Sequence, residues 1–397
     1  MIADLYVDAA YWALFLGLLL LACVASRARL FDFTFMPLLI MGQYVAHTTL
    51  AFSERAPDLA VFALAFALVF VATYRLNVKV APLTNFRLYR QQEHAIERTW
   101  VRFAKLYLLT YFLLKIALNP FSPGELLLEA RLEGQRENRI LFYMGIAILP
   151  AVAACMHDWI RRRFRLKAFD LLLVLVIIVG MFGAQSKSAL LPLLLAFFGA
   201  ASYMKARPVR GAYLALLSVL FALLSYLSLK LLMPSLDAAA IGKLLAFRIV
   251  ANTDSLEYLY VLNVSPSSYP YAGIGALLPY LAKPLGYIYH YPPGVWLHSL
   301  RFDVWDGFGP NSGLIMDFYG NLSWFGLAGA GVLGVYLRWC QRLNNAIGCS
   351  FASIAYLVVV DISMFDVALL FYLGAFGVIA FFYAIAARAR QPMLDLS

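Results

Sequence analysis

The chain has 397 residues, of which 63% are hydrophobic and 14% are charged, and its formal net charge is +10. Soluble domains carry roughly 25% charged residues, so this composition excludes an ordinary soluble domain and predicts an integral membrane protein. The excess of basic residues lies largely in short loops. It therefore requires no nucleic-acid partner and favours membrane lipids with anionic headgroups as the partner of the loops.

Eleven apolar runs predict an all-α, polytopic protein that forms a single integral membrane domain over residues 1–397. A membrane span needs about 20 apolar residues, and these runs approach that length. The predicted spans cover residues 9–25, 34–52, 57–74, 99–119, 140–158, 168–184, 188–204, 212–233, 314–337, 345–363 and 367–387.

Basic residues in alternate connections orient these spans. They occur in "SRAR", "YRLNVKV…FRLYR", "RRRFRLK", "KARPVR", "RWCQR" and "ARAR", whereas the short connections on the other side are poor in Lys and Arg. Because Lys and Arg are concentrated in cytoplasmic loops, every second boundary is predicted to be cytoplasmic. The N-terminus is then outside the cytoplasm and the C-terminus is inside it.

Two long connections fall on the outer side, residues 119–139 and residues 234–313. The second is far longer than a simple connector needs to be, and it is rich in Tyr, Trp, Gly and Pro. We expect it to form short helices in or near the outer headgroup layer, where Tyr and Trp are common. Its aromatic side chains either anchor the loop there or form a groove that stacks on sugar rings.

Several cations lie on the outer side, against the usual bias. In "FGAQSKSALL", Lys187 stands between two apolar runs, and the outer loops add Arg131, Arg136, Arg139, Lys243, Arg248 and Arg301. Glutamates in the first loop provide one explanation, because they can pair with its arginines. The functional alternative is an anion site for phosphate or pyrophosphate, since Arg forms bidentate phosphate contacts and Lys acts as a point charge.

Four stretches, together with the polytopic layout, resemble a known family. They are "EGQRENR" and "AFRIVANTD" in the outer loops, "GAQSKSALLPLLL" at a helix start, and "GPNSGLIMDFYGNLSWFGLAGAG" before a late span. The chain resembles the Wzy-type O-antigen (oligosaccharide repeat-unit) polymerases of the bacterial inner membrane. Many members have Arg in the short turn where this chain has Lys187. Related ligases transfer O-antigen to lipid A and use an outer-face histidine.

The resemblance implies a glycosyltransferase that acts at the periplasmic face. Its donor is a polyprenyl-pyrophosphate-linked oligosaccharide, and a hydroxyl of a second lipid-linked repeat unit attacks the anomeric carbon. Fixed cations stabilise the departing pyrophosphate, and we expect this role for Arg248, Arg136, Arg139, Lys187 and Arg301. No cofactor or metal is expected, because the leaving group is already attached to the donor. The resemblance also implies a Wzz-like chain-length regulator and a Wzx-like flippase as partners.

The acceptor hydroxyl needs a general base. His290 and His298 flank "YPPGVWL" on the outer side, and histidine is the usual residue for proton transfer near neutral pH. Asp254 and Glu257, one helical turn apart, are the carboxylate alternative, as are Asp303 and Asp306. Each of these side chains has the alternative role of binding backbone groups or an arginine.

A flippase for lipid-linked oligosaccharides is the alternative from a different class, since it also needs a basic cavity. The chain shows no internal repeat and no matched pair of interrupted spans of the kind found in many transporters. Charged residues within the predicted spans are few, and Lys230 is the main case. The polar residues are concentrated on the outer side, which favours an enzyme.

Overall fold

The computed structural model is all-α throughout the part of the chain that it describes. That part comprises residues 8–26, 33–76, 89–118, 141, 144, 145, 147–183, 196, 197, 199–201, 219, 223, 226, 230, 235–243, 253–268, 283–286, 293–303, 313–343 and 345–360. Every regular element within these residues is an α-helix or a 3₁₀ turn, as the sequence predicts.

Eleven of the α-helices are described with both of their ends. They are α1 Ala9–Ser26, α2 Phe35–Ala51, α3 Pro57–Arg75, α4 Tyr89–Leu118, α5 Ile148–Arg161, α6 Ala168–Gly183, α7 Ser255–Leu262, α8 Pro293–Phe302, α9 Gly313–Leu322, α10 Leu327–Leu343 and α11 Ala346–Val360. The 3₁₀ turns are Pro266–Ser268, Lys283–Leu285 and Ser323–Gly326.

The chain divides into two compact units, each assembled from separate segments. The first unit comprises residues 1–76, 208–339 and 355–366, and the second comprises residues 77–207, 340–354 and 367–397. The prediction of a single membrane domain over the whole chain stays a prediction.

In the first unit, α1, α2 and α3 pack against one another, and α9 packs against α2 and α3. The core is aromatic: Phe62 and Phe66 of α3 are fully buried, and the Phe62 ring centroid lies 4.9 Å from that of Tyr319. The opposite faces of α1 and α3 expose apolar side chains at helical spacing. These exposed residues are Leu16, Leu20, Val24, Val61, Leu64 and Leu68.

The predicted span 314–337 is wrong as a single continuous helix. Helix α9 ends at Leu322, a 3₁₀ turn covers Ser323–Gly326, and α10 begins at Leu327. Ser323 has a left-handed φ of 49°, which an α-helix of L-residues does not accommodate. The interruption brings Phe318 so close to Gly326 that an added Cβ would lie 2.7 Å from the carbonyl oxygen of Phe318. The small residue therefore permits the break.

In the second unit, α4 packs against both α5 and α6. Trp100 of α4 is buried, and its indole N–H donates to the hydroxyl of Ser350 at 3.1 Å. Ser350 in turn donates to the carbonyl oxygen of Pro150 at 2.7 Å. Helix α4 begins at Tyr89 rather than at residue 99, because the polar stretch that precedes the apolar run is also helical.

Among the described helices, α3 is the one that is both long and apolar enough to cross a membrane. The apolar helices Ala9–Ala25 and Ala168–Gly180 fall short of that length. Helix α4 is longer, but Arg102, Lys105 and Lys115 interrupt its apolar run. The count of eleven spans thus stays a prediction, and the predicted spans 188–204, 212–233 and 367–387 lie largely outside the described residues.

Candidate functional site

Two short helices of the long predicted outer loop, α7 and α8, pack against each other. Their presence confirms that the loop contains short helices. Helix α7 buries Ser255, Leu256 and Leu259, which leaves Glu257 and Tyr258 partly exposed. It ends at Asn263, whose left-handed φ of 50° stops the helix. The buried side chains therefore determine that the face of α7 with Glu257 and Tyr258 is the partly exposed one.

Helix α7 is anchored at its start to α2. The Nδ1 atom of His47 lies 2.7 Å from the hydroxyl oxygen of Thr253, and both side chains are fully buried. One turn earlier on α2, the hydroxyl of Tyr44 lies 3.5 Å from that of Ser255. His47 therefore has a structural role, because its buried ring holds the start of α7 against α2.

The end of α7 has a second contact, with the connection between α2 and α3. The guanidinium carbon of Arg55 lies 3.9 Å from the ring centroid of Tyr260, and its Nη1 donates to the Tyr260 carbonyl oxygen at 3.5 Å. The ring of Phe52 meets Tyr260 edge-on at 6.2 Å. Both ends of α7 are therefore held by residues near the end of α2.

Helix α8 presents a basic and aromatic face to Tyr258 of α7. His298, Arg301 and Phe302 follow the i, i+3, i+4 spacing that places side chains on one side of a helix. The guanidinium carbon of Arg301 lies 4.8 Å from the ring centroid of Tyr258. The ring of His298 lies 6.2 Å from that of Tyr258 and 4.7 Å from that of Phe302. We call this arrangement the α7–α8 pair.

Two groups of the α7–α8 pair have no hydrogen-bonding or charged partner within the described part of the chain. Arg301 is exposed and forms no ion pair with any described residue. The Nδ1 atom of His298 is buried and has no hydrogen-bond partner among these residues. An arginine held against an aromatic ring keeps its N–H groups free to bind a phosphate oxygen.

The structure brings together some of the predicted site residues. His298 and Arg301 share the face of α8 that contacts Tyr258. Glu257 directly precedes Tyr258 on α7. Asp254 lies directly before α7. Within the described structure, His298 makes no hydrogen bond to the carboxylate of Asp254 or of Glu257. Asp303 is exposed directly after α8. The predicted residues that lie outside the described part are Arg136, Arg139, Lys187, Arg248, His290 and Asp306.

Arg55, Tyr258 and Tyr260 are not among the site residues that the sequence predicts. Arg55 lies in "SERA", a short connection between two predicted spans, and the tyrosines lie in the apolar run "LEYLYVL". One signal was present: Arg55, like Lys187, is a basic residue in a short outer connection, where Lys and Arg are uncommon.

A second group of charges lies in the second unit, and we call it the ion network. The Nζ atom of Lys105 lies 3.0 Å from Asp158 and 2.8 Å from Asp170. Arg162 lies 2.6 Å from Asp158 and 3.1 Å from Asp170, whose Oδ1 also accepts a hydrogen bond from Trp159 at 3.0 Å. The network joins the middle of α4 to the end of α5 and the start of α6.

Glu97 and Arg161 extend the ion network along α4. The Arg161 Nη1 atom lies 3.0 Å from Glu97, whose other oxygen accepts a hydrogen bond from the backbone N–H of Ala346 at 2.9 Å. Burial alone would lower the pKa of Arg162, but the hydrogen bonds and negative charge of Asp158 and Asp170 raise it above its usual value. Every member of the network has a charged partner, so the network stabilises the fold.

A comparison of the chain with family models, with curated proteins and with solved structures finds no match.

Proposed function

We propose that this chain is a membrane glycosyltransferase that joins polyprenyl-pyrophosphate-linked oligosaccharide repeat units at the periplasmic face of the bacterial inner membrane. The observation that carries the proposal is the α7–α8 pair. It holds an exposed Arg301 against the ring of Tyr258, beside His298. A free cation and aromatic ring faces are the groups that a phosphate-linked sugar requires.

Exposed apolar side chains support the placement in a membrane with about eleven spans. Soluble proteins rarely expose large contiguous apolar surfaces. Here α1, α3, α4 and α6 each expose several large apolar residues, among them Leu20, Leu68, Leu106 and Leu175. Such faces are suited to contact with the hydrocarbon core of a bilayer, and the apolar composition of the whole chain agrees with a membrane location.

The contacts within each unit support the proposed orientation of the spans. In the first unit, His47, Arg55 and α7 come together, and all three are predicted to lie at or near the outer side. In the second unit, Glu97, Asp158 and Asp170 share one ion network, and all three are predicted at inner ends of spans. Helix ends on opposite sides of a bilayer are about 30 Å apart and could not form such contacts.

In the proposed reaction, an acceptor hydroxyl oxygen forms a bond with the anomeric carbon of the donor glycan. The bond from that carbon to the pyrophosphate oxygen breaks, and its electron pair leaves with polyprenyl pyrophosphate. Arg301 binds the leaving group, together with the predicted cations Arg136, Arg139, Lys187 and Arg248. Fixed cations stabilise charge that develops in the transition state.

The proton of the acceptor hydroxyl passes to a general base, and we assign this role to His298. Its ring and the guanidinium group of Arg301 both contact Tyr258. Its Nδ1 atom is buried and has no hydrogen-bond partner within the described structure. His290, Asp254 and Glu257 are the other candidates for this role.

An O-antigen ligase is the second candidate function, and the position of His298 on the predicted outer face favours it. A ligase would transfer the glycan to lipid A core instead of to a second repeat unit. A flippase is the third candidate. The concentration of unpaired groups in the α7–α8 pair favours an enzyme over it, since a translocation path needs polar groups through the whole membrane.

The deciding experiment uses the purified full chain with lipid-linked repeat units, without added metal or nucleotide. We expect a ladder of glycan products, with Arg301→Ala about 10²–10³ slower and Arg301→Lys intermediate. Arg75→Ala, which removes an exposed arginine from the end of α3, is the control and should match the unchanged chain.

Each alternative gives a different product pattern in this assay. When lipid A core is added to the assay as a second acceptor, transfer to it without a ladder would identify a ligase. A flippase would form no product, and its loss in cells would leave lipid-linked single repeats on the cytoplasmic leaflet. Equal ladders from Arg301→Ala and the unchanged chain would contradict the role of the α7–α8 pair.

A further inference from the structure

The turn between α5 and α6, residues 161–167, has an unusual and well-fixed backbone. Arg163 and Phe164 both have left-handed φ angles, 53° and 56°, which non-glycine residues rarely adopt. The Arg163 N–H donates to the Ile160 carbonyl at 2.9 Å, and the Phe164 N–H donates to the Trp159 carbonyl at 2.8 Å. These bonds close the end of α5 and fix the direction of the side chains that follow.

The ion network holds this turn from the protein side. Arg162 binds Asp158 and Asp170, and its other Nη atom donates to the carbonyl oxygen of Arg165 at 3.3 Å. Asp170 also accepts a hydrogen bond from the backbone N–H of Lys167 at 3.0 Å. Asp158 and Asp170 therefore anchor the start of the turn through Arg162, and Asp170 also anchors its end.

The charged side chains of three residues in the turn take no part in this anchoring. Arg163, Arg165 and Lys167 have exposed side chains, and none of them forms an ion pair with a described residue. Phe164 stands between the two arginines, and half of its surface is exposed. The two carboxylates nearest in sequence, Asp158 and Asp170, are already occupied by Lys105 and Arg162. The turn thus presents positive charge that the described structure does not neutralise.

An exposed apolar face begins directly beside these cations. Along α6, the side chains of Phe169, Leu172, Leu175 and Val179 are exposed at helical spacing. A cationic turn at one end of an apolar helical face is complementary to an anionic phospholipid, because the turn can bind the charged headgroup and the helix face can contact the hydrocarbon chains.

We propose that the α5–α6 turn and the exposed face of α6 form a binding site for one anionic phospholipid. Its phosphate lies among Arg163, Arg165 and Lys167, Phe164 inserts beside the headgroup, and its acyl chains lie along α6. The adjoining apolar face identifies the occupant as a lipid, since a free phosphate would use the cations alone. The proposal depends on the membrane location within the proposed function, but not on glycan transfer.

The test compares lipid binding by three forms of the full chain in detergent, by native mass spectrometry. The probes are phosphatidylglycerol and phosphatidylcholine, which have the same acyl chains and different headgroup charge. We expect Arg163→Gln/Arg165→Gln to bind phosphatidylglycerol about 25-fold more weakly, because each basic residue near a lipid surface contributes about fivefold. The control, Arg75→Gln/Arg102→Gln, removes two other exposed arginines and should bind as the unchanged chain does.

A second variant, Phe164→Gly, keeps the backbone conformation, because glycine adopts a left-handed φ without strain. We expect it to stay folded and to lose several-fold in affinity for both lipids. Equal losses in the two double variants would show a general charge effect and overturn the site, as would unchanged binding in Arg163→Gln/Arg165→Gln. Free inorganic phosphate that displaces phosphatidylglycerol completely would also overturn it. Glycan elongation is measured separately, so its failure would leave this result intact.

Discussion

The ion network and the α7–α8 pair both contain arginine, yet they use it differently. In the ion network, Arg162 is held by two carboxylates, and Asp170 is almost fully buried. In the α7–α8 pair, Arg301 rests on the ring of Tyr258 and remains exposed, without an ion pair among the described residues. Carboxylate partners therefore give Arg162 a stabilising role, whereas the aromatic partner leaves Arg301 able to bind a ligand.

An aromatic partner positions a cation without neutralising it, whereas a carboxylate does both. Cation–π contacts at exposed sites contribute about 0.5–1 kcal/mol. Such a contact orients the guanidinium group, and a phosphate that binds the same group loses little energy if the contact weakens. A buried carboxylate would have to be displaced before an anion could bind. The following variants test this difference.

The largest effect is expected at the ion network. Asp170→Ala should lower the free energy of unfolding by about 3–5 kcal/mol, because it leaves Lys105 and Arg162 with an incompletely neutralised buried charge. The measurement is denaturant unfolding of the purified chain in detergent. Glu54→Ala, at an exposed position, is the control and should change the free energy little. Equal stability of the two variants would show that the network contributes nothing.

An intermediate effect is expected where α7 meets α2. Thr253→Val should lower the free energy of unfolding by about 1–3 kcal/mol, because it removes the buried hydroxyl that contacts Nδ1 of His47. Glycan elongation should fall as well, since α7 carries Tyr258. The matched control is Thr99→Val on α4, where the hydroxyl is only partly buried and contacts a carbonyl of its own helix. A loss no larger than that of the control would contradict the anchoring of α7.

The smallest effect on stability is expected at the two tyrosines of α7. Tyr258→Leu and Tyr260→Leu each remove one cation–π contact and should each cost about 0.5–1 kcal/mol of unfolding free energy. Their effects on glycan elongation should differ, because Tyr258 orients Arg301 and Tyr260 contacts Arg55. Equal elongation rates for the two variants would remove the functional distinction between them.

Much of the helical fold is predictable from the sequence, because apolar runs and helix signals coincide. Helix α3 spans Pro57–Arg75 against a prediction of 57–74, since Pro at the first position and a closing Arg mark its ends. Hydropathy does not reveal the polar start of α4, because that stretch has helix-forming residues without an apolar run. The hydropathy pattern also does not predict the break at Ser323, because that break depends on contacts around Phe318.

The candidate site is less predictable, because it depends on how distant segments pack. His298 and Arg301 were identified from their predicted side, but their shared contact with Tyr258 needs the packing of α7 on α8. The ion network was missed because Lys105 is separated from Asp158 and Asp170 by long stretches of chain. Only the i, i+4 pair of Asp158 and Arg162 was visible in the sequence.

The paired contacts of Thr253 and Ser255 with α2 have a consequence for how the segment tolerates changes in length. Each residue of an α-helix turns the chain by about 100°, so one inserted residue after Ser255 would rotate the rest of α7 by that angle. Tyr258 would move into the buried position that Leu259 now occupies, away from Arg301, and Glu257 would take the position of Tyr258. We therefore expect substitutions at exposed Val261 to be tolerated in this segment, and single-residue insertions or deletions between Ser255 and Tyr258 to be rejected.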